Sequence, residues 1–210
     1  MDLKERILTE AEALFWKYGI RSITMDDIAR QVNISKKTIY QHFIDKEDIV
    51  YQVISNYTDR DKIIVDYNKK PTIDPIKELL TMSETLRDQL AKINPALLID
   101  LQRHYPRAWQ LCQEYKEKYV LEAIRQNLKQ GVFQNVYRSE IDIDIMARLR
   151  MELVQLAFND QVFPLSYSSM FNVQAQLLQH FIRGILTEKG FSIYNQLLIQ
   201  YANESTSISK

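Results

Sequence analysis

Only four glycines and five prolines punctuate the 210 residues of this chain, and that scarcity constrains its fold more than any other feature. Average usage would supply about 7% Gly and about 5% Pro, and a sandwich or barrel needs a turn signal every ~8–12 residues. A chain this poor in breakers is expected to be all-α, with long helices and short connections. Gly19, Pro71, Pro75, Pro95, Pro106, Gly131, Pro164 and Gly190 fall where the apolar spacing also marks helix ends.

Leu3, Ile7, Ala11, Leu14 and Tyr18 recur at helical spacing, and Gly19 ends that run. Thr24 is placed to cap a short helix from Met25 to Val32, with Asp26 and Asp27 in its first turn. Ser35 can cap a third helix, Lys36 to Phe43, and Asp45 opens a long one to about Lys70. Pro71 and Pro75 forbid a continuous helix between them and mark a linker. Asp74 and Pro75 then start a helix to about Ile93, Pro95 one to about His104, and Pro106 one that runs to Gln130 and ends at Gly131. Ile143 to Asn159 and Ser169 to Lys189 form a long pair, Gly190 closing the second, with a short helix from Phe191 to Tyr201 after it. The Ser-rich end is expected to be disordered.

Hydrophobic residues make up 46% and charged residues 26%, enough to bury a core. The 27 basic and 27 acidic residues cancel, so any charge serving a nucleic acid must be local. The first residues, Met1-Asp2-Leu3-Lys4-Glu5-Arg6, are charged where a secretion signal is apolar, and no run reaches the ~18 apolar residues of a membrane span. A cytoplasmic protein without a membrane partner is expected. Cys112 has no second cysteine to pair with; a redox sensor is conceivable, but a small core residue is the better account. His42, His104 and His180 are far apart, and neither HExxH nor CxxC occurs. With no glycine-rich phosphate loop and no GxSxG elbow, no metal, cofactor or enzymatic activity is expected. Glu140, Asp142 and Asp144 precede the helix from Ile143 and are better explained as its cap and dipole partners than as a cation cluster.

The informative constellation lies near the N-terminus. Two helices of about eight residues joined by a short turn, braced by a longer one, have helix-turn-helix geometry. Ile28, Ala29, Val32, Ile34 and Ile39 can form the apolar wedge between them, which leaves Ser35, Lys36, Lys37, Thr38, Tyr40 and Gln41 exposed. All six can donate hydrogen bonds. From Arg30 to Lys46, four cations face the single acid Asp45, a local stripe of the kind that releases counterions from phosphates.

The runs Leu14-Phe15-Trp16-Lys17-Tyr18-Gly19-Ile20, Ile23-Thr24-Met25-Asp26-Asp27-Ile28-Ala29, Val32 to Phe43, and Lys46-Glu47 resemble the DNA-binding domain of the tetracycline-repressor (TetR) family of bacterial transcription regulators. The resemblance covers about residues 5 to 55. It implies that Thr24, Tyr40 and Lys46, with the Lys46 backbone N–H, bond phosphates. It also implies that Ser35, Lys36, Lys37, Thr38 and Gln41 face the major groove, with His42 near the backbone and Phe43 in the core. The organisation expected is then a helix-turn-helix DNA-binding domain over 1–45, a connecting helix over 46–70, a helical ligand-binding and dimerisation domain over 71–202, and a tail over 203–210.

In the last two long helices apolar residues go most of the way round, so burial on two sides is expected, one of them by a second copy of the chain. Leu149, Leu153, Leu156, Leu178, Phe181, Ile182 and Ile185 are the candidate dimer contacts. The family dimerises through its last two long helices, which implies the same. Tyr105, Trp109, Tyr115, Tyr119 and Phe158 are candidates for the effector cavity that the resemblance implies, although each taken alone reads better as ordinary core or surface. The function expected is a sequence-specific DNA-binding regulator, a repressor whose hold on a double-stranded operator is released by a small-molecule effector. The alternatives are a helical small-molecule-binding or enzymatic protein with a vestigial N-terminal module, and an architectural DNA binder without an effector.

Overall fold

The computed structural model describes residues 2–68, 74–91, 93–94, 96–157, 159, 161–164 and 170–207. Eleven α-helices account for most of them: α1 (Leu3–Tyr18), α2 (Met25–Val32), α3 (Lys36–Ile39), α4 (Lys46–Asn68), α5 (Pro75–Leu90), α6 (Ala96–His104), α7 (Pro106–Tyr115), α8 (Leu121–Phe133), α9 (Ile143–Leu156), α10 (Met170–Ile185) and α11 (Glu188–Ser207). A π-helical turn, Lys116–Val120, joins α7 to α8. Among the described residues there is no strand, only an isolated antiparallel bridge between Tyr137 and Leu186. The proline-rich linker expected at 71–75 lies largely outside the described residues, as does Phe158.

The chain divides into two compact units: residues 1–66 with 88–117, and residues 67–87 with 118–210. Helices α6 and α7, which the sequence groups with the second domain, therefore pack in the first unit. The reason is a set of contacts remote in sequence. Asn94 donates from its backbone N–H to Trp16 O at 2.7 Å and from its side chain to Lys17 O at 3.3 Å, docking α6 on the end of α1. Gly19 adopts φ +81°, a conformation glycine accepts readily, and a Cβ there would lie 3.3 Å from Ala96 Cβ. The core of this unit is Ile7, Leu8, Ala11, Phe15, Ile28, Val32, Ile39, Ile49, Val53, Leu97 and Leu101 with their neighbours. Tyr18, expected on the inner face of α1, is 48% exposed; Leu8 and Phe15 take the inward positions.

In the second unit Ile76, Leu79, Leu128, Tyr137, Ala147, Phe181, Ile182, Ile185 and Tyr194 form the core. Two glycines expected to end helices lie inside them instead. A Cβ on Gly131 would lie 1.9 Å from the Tyr137 ring, and one on Gly190 would lie 2.2 Å from Val136 O. These glycines make room for the chain reversal after α8, where Asn135 (φ 57°) turns the backbone so that Val136 and Tyr137 both donate to Gly131 O. The break between α10 and α11 comes earlier than expected, at Leu186–Thr187. There Arg138 donates to Ile185 O at 2.8 Å and Thr187 to Val136 O at 3.1 Å. Helix α11 runs on to Ser207, so most of the end expected to be disordered is helical.

Asp142 caps α9 by accepting from Ile145 N at 3.0 Å, and Asp144 pairs with Arg125 at 2.6 Å. The acids around Ile143 thus serve as cap and ion-pair partner. Cys112 is half-buried against the first core, and burial pushes its thiol pKa up, away from the reactive thiolate.

Candidate nucleic-acid interface

Three caps lock the helix-turn-helix. Thr24 accepts from Asp27 N at 3.2 Å while Asp27 accepts from Thr24 N at 2.9 Å, a reciprocal capping box at the start of α2. Asn33, at φ 59° and ψ 50°, ends α2 in the left-handed region that asparagine tolerates, and its N–H returns to Ala29 and Arg30 carbonyls. Ser35 accepts from Thr38 N at 3.1 Å and opens α3. The wedge is as the sequence implies: Ile28, Val32 and Ile39 are fully buried, Ala29 nearly so, and Ile34 packs at its edge. The Arg6 guanidinium donates to Val32 O, and Gln31 reaches Glu10 at 2.8 Å, so α1 braces the C-terminal end of α2.

Helix α3 is regular for one turn only, Lys36–Ile39, whereas the sequence suggests helix to Phe43. The remainder continues as turns, with Gln41 donating to Thr38 O and His42 to Ile39 O, and Phe43 closes it as a buried residue. Ser35, Lys36, Lys37, Tyr40, Gln41 and His42 are exposed, and Thr38 is half-exposed. Of residues 35–42 only Ile39 is buried, so the predicted donors of this stretch are accessible. Several members are partly engaged within the chain, the Ser35 and Thr38 hydroxyls with each other at 2.8 Å. Lys36 forms an ion pair with Asp26 at 2.9 Å, which raises its pKa, and the Thr24 hydroxyl donates to Asp27 at 2.6 Å.

Lys46 departs most from expectation. Its ammonium points inward and donates to Ile20 O at 2.7 Å. On the other side of the same peptide, Arg21 N donates to Asp100 of α6 at 2.9 Å. One peptide unit in the turn between α1 and α2 is thus held from both sides. Burial pushes the Lys46 ammonium pKa down, and Asp100 is the first charge opposing that shift. Asp100, only 8% exposed, is a functional neighbour that sequence reading missed. Its signal, an acid among the apolar residues Leu97, Leu98, Ile99 and Leu101, is visible only once its partner is known.

Of the residues expected to line an effector cavity, three lie in the first unit. Tyr105 and Trp109 pack against the core of the first unit, and Tyr115 there donates to Asp61 at 2.5 Å. Asp61 also accepts from Gln89 at 3.0 Å, tying α4 to α5 and α7 within that unit. Tyr119 belongs to the second unit. The predicted dimer residues also need correction. Leu178, Phe181, Ile182 and Ile185 are core residues of the second unit, with at most 8% of their surface exposed. A side chain with no surface in one chain has none to offer another. Leu149 is 42% exposed, with Leu153 and Leu156 half-buried.

Residues 7–53 match the family described as bacterial regulatory proteins, tetR family. The transcriptional repressor KstR2 of Mycobacterium tuberculosis is 24% identical over 153 residues, 68% of this chain and 72% of its own. The crystal structure of a TetR-family regulator from Agrobacterium tumefaciens superposes with a TM-score of 0.71 at 17% identity, covering 88% of this chain and 97% of that one. The N-terminal domain, residues 7–53, is of the TetR family of bacterial regulatory proteins. A regulator from Saccharomonospora viridis, crystallised in complex with choline, has the same fold, with a TM-score of 0.71, 20% identity and 88% and 98% coverage. The biofilm-operon negative regulator IcaR of Staphylococcus epidermidis is 37% identical over 54 residues, 26% of this chain and 29% of its own. The exposed side chains from Ser35 to His42 supply cations, hydroxyls and an amide, groups able to bond phosphate oxygens and base edges.

Proposed function

We propose that this chain is a homodimeric TetR-family repressor that holds a palindromic operator and is released from it by a small-molecule effector. The observation that carries the reading is the exposed set of donors from Ser35 to His42, mounted on a helix-turn-helix capped at both ends of α2 and at the start of α3. Lys37, exposed and in no ion pair among the described residues, and Gln41, also exposed, are suited to base edges, with Ser35, Lys36 and Thr38 beside them. Tyr40, 49% exposed, Thr24, His42 and the Lys46 backbone N–H at the start of α4 are suited to phosphates. The Lys46 ammonium acts indirectly, by holding the Ile20–Arg21 peptide.

A two-fold dimer sets two such faces about one DNA turn apart, roughly 34–36 Å. The apolar residues available for it are Ile145, Leu149, Leu153 and Leu156 on α9; Ile145 is 61% exposed. The outward positions of α10, Asn172, Ala175, Gln176, His180 and Gly184, are polar or small and suit close helix approach. Helix α4 is continuous from Lys46 in the first unit to Asn68 in the second, which makes it the lever by which an effector reaches the recognition helix. By linkage, an effector that weakens DNA binding by some factor is itself weakened by DNA by the same factor.

Fluorescence anisotropy on labelled duplexes recovered by selection from random DNA tests the reading. Two chains per site, with release by at least one fraction of a small-molecule extract, support it. Tight binding that no fraction relieves contradicts the effector half, and one chain per site contradicts the dimer.

A further inference from the structure

We propose that Arg150, with Ser83 beside it, anchors a binding site for a small organic monocarboxylate inside the second unit. The inference rests on the effector-responsive reading above and names the class of effector.

Arg150 lies in the middle of α9 and is 5% exposed. Its Nη2 donates to Ser83 Oγ of α5 at 2.9 Å. The Ser83 hydroxyl donates in turn to Leu79 O at 2.9 Å, so it offers the guanidinium a neutral lone pair and no charge. Arg150 Nη1 is buried and has no partner. Burial alone lowers the Arg150 pKa, to about 10, and among the described residues no carboxylate opposes that shift, so the group is still a cation at neutral pH.

This is an unusual way to leave a charge, because buried cations are ordinarily paired. The contrast within the same unit is direct. Asn127, 1% exposed, donates to Pro75 O at 2.9 Å and to Glu78 at 2.7 Å, and accepts from the Tyr137 hydroxyl at 3.2 Å. That network is closed, whereas the N–H groups of Arg150 Nη1 are left without a partner. A carboxylate oxygen accepting there makes a charge-assisted hydrogen bond and supplies the counter-charge that the guanidinium lacks. A monoanion neutralises the single buried cation, whereas a phosphate dianion would leave one negative charge in a dry site. Leu79 on the helix of Ser83, and Ala147 and Met151 on the helix of Arg150, belong to the apolar core of the unit, surroundings that favour a ligand with an apolar body.

The test uses the full chain and the probes butyrate, hexanoate, octanoate and benzoate, with the matched alcohols and inorganic phosphate as controls at constant ionic strength. Thermal melting and release from the selected operator are both followed. The carboxylates are expected to raise the melting temperature and release the operator, while the alcohols and phosphate do neither. Arg150→Met loses that response, with carboxylate affinity falling about tenfold or more, the loss expected for charge-assisted hydrogen bonds. It should melt no lower than the parent without ligand, since the charge it removes has no counter-ion. If Arg150→Met does not fold, Arg150→Lys supplies the same comparison, with a smaller fall in affinity. No melting shift with any carboxylate, an equal shift in the Arg150 variants, or a preference for phosphate overturns the proposal. Release by a neutral or cationic compound acting equally on Arg150→Met overturns the carboxylate while leaving the effector reading intact. Carboxylate binding at Arg150 without operator release upholds the site and removes its effector role.

Discussion

Replacing Lys46 by methionine separates two roles that the TetR family resemblance alone would merge. The side chain keeps its length and apolar stem but loses the ammonium that donates to Ile20 O at 2.7 Å. A hydrogen bond from a charged donor contributes about 1.5–3 kcal/mol. This one is half-buried, so the lower end applies, and Asp100 still grips the other side of the peptide. A loss of about 1.5 kcal/mol corresponds to a fall of about 3–6 °C in melting temperature for a chain of this size. DNA affinity should fall for all sequences alike, because the α1–α2 turn loosens beneath the whole recognition element. The dependence of log K on log salt should keep its slope, because no phosphate loses a cation. The assays are differential scanning fluorimetry, and anisotropy titrations over a salt series. A slope reduced by about 0.9, the signature of one lost phosphate contact, with an unchanged melting temperature would place the ammonium on DNA and refute this reasoning.

Lys37→Ala and Gln41→Ala should change which duplexes are preferred, at about 1–3 kcal/mol per lost base contact; a uniform loss across single-base variants of the operator would argue against base readout. Ile145→Glu with Leu149→Glu should convert the dimer to a monomer by light scattering and weaken operator binding, while the melting of each chain is largely kept because both side chains are exposed; an unchanged mass would move the interface elsewhere. Glu78 gives a pH signature. Burial raises its pKa from 4.5, more than its bond to Asn127 lowers it, so its contribution to stability is full below the ordinary value and is lost as pH rises through the raised one. Glu78→Gln keeps the bond and removes the titration, so its stability relative to the parent should rise between acid and neutral pH in urea melts, and a constant difference would show that Glu78 does not titrate there.

What could be read from the sequence was local. Thr24, Ser35 and Gly19 announce helix ends through chemistry confined to three or four residues, and Ile28, Val32 and Ile39 announce a wedge by spacing alone. What could not be read depends on contacts distant in the chain. Asp100 pairs with a backbone N–H 79 residues away, which carries α6 and α7 into the first unit. Gly131 and Gly190 look like helix stops until Tyr137 and Val136 are seen in the space a side chain would fill. Leu178, Phe181, Ile182 and Ile185 show that apolar breadth says a face is covered but not by what. Arg150 gave no signal at all, since a lone arginine on an amphipathic helix ordinarily faces water.

The central claim, that the exposed donors from Ser35 to His42 read a specific duplex in a two-fold arrangement, is tested most directly by selecting binding sites from random double-stranded DNA with the full chain. The account predicts enrichment of one palindromic motif whose half-site centres are separated by about one helical turn, roughly 34–36 Å. Recovery of unrelated sequences bound with equal affinity would contradict it.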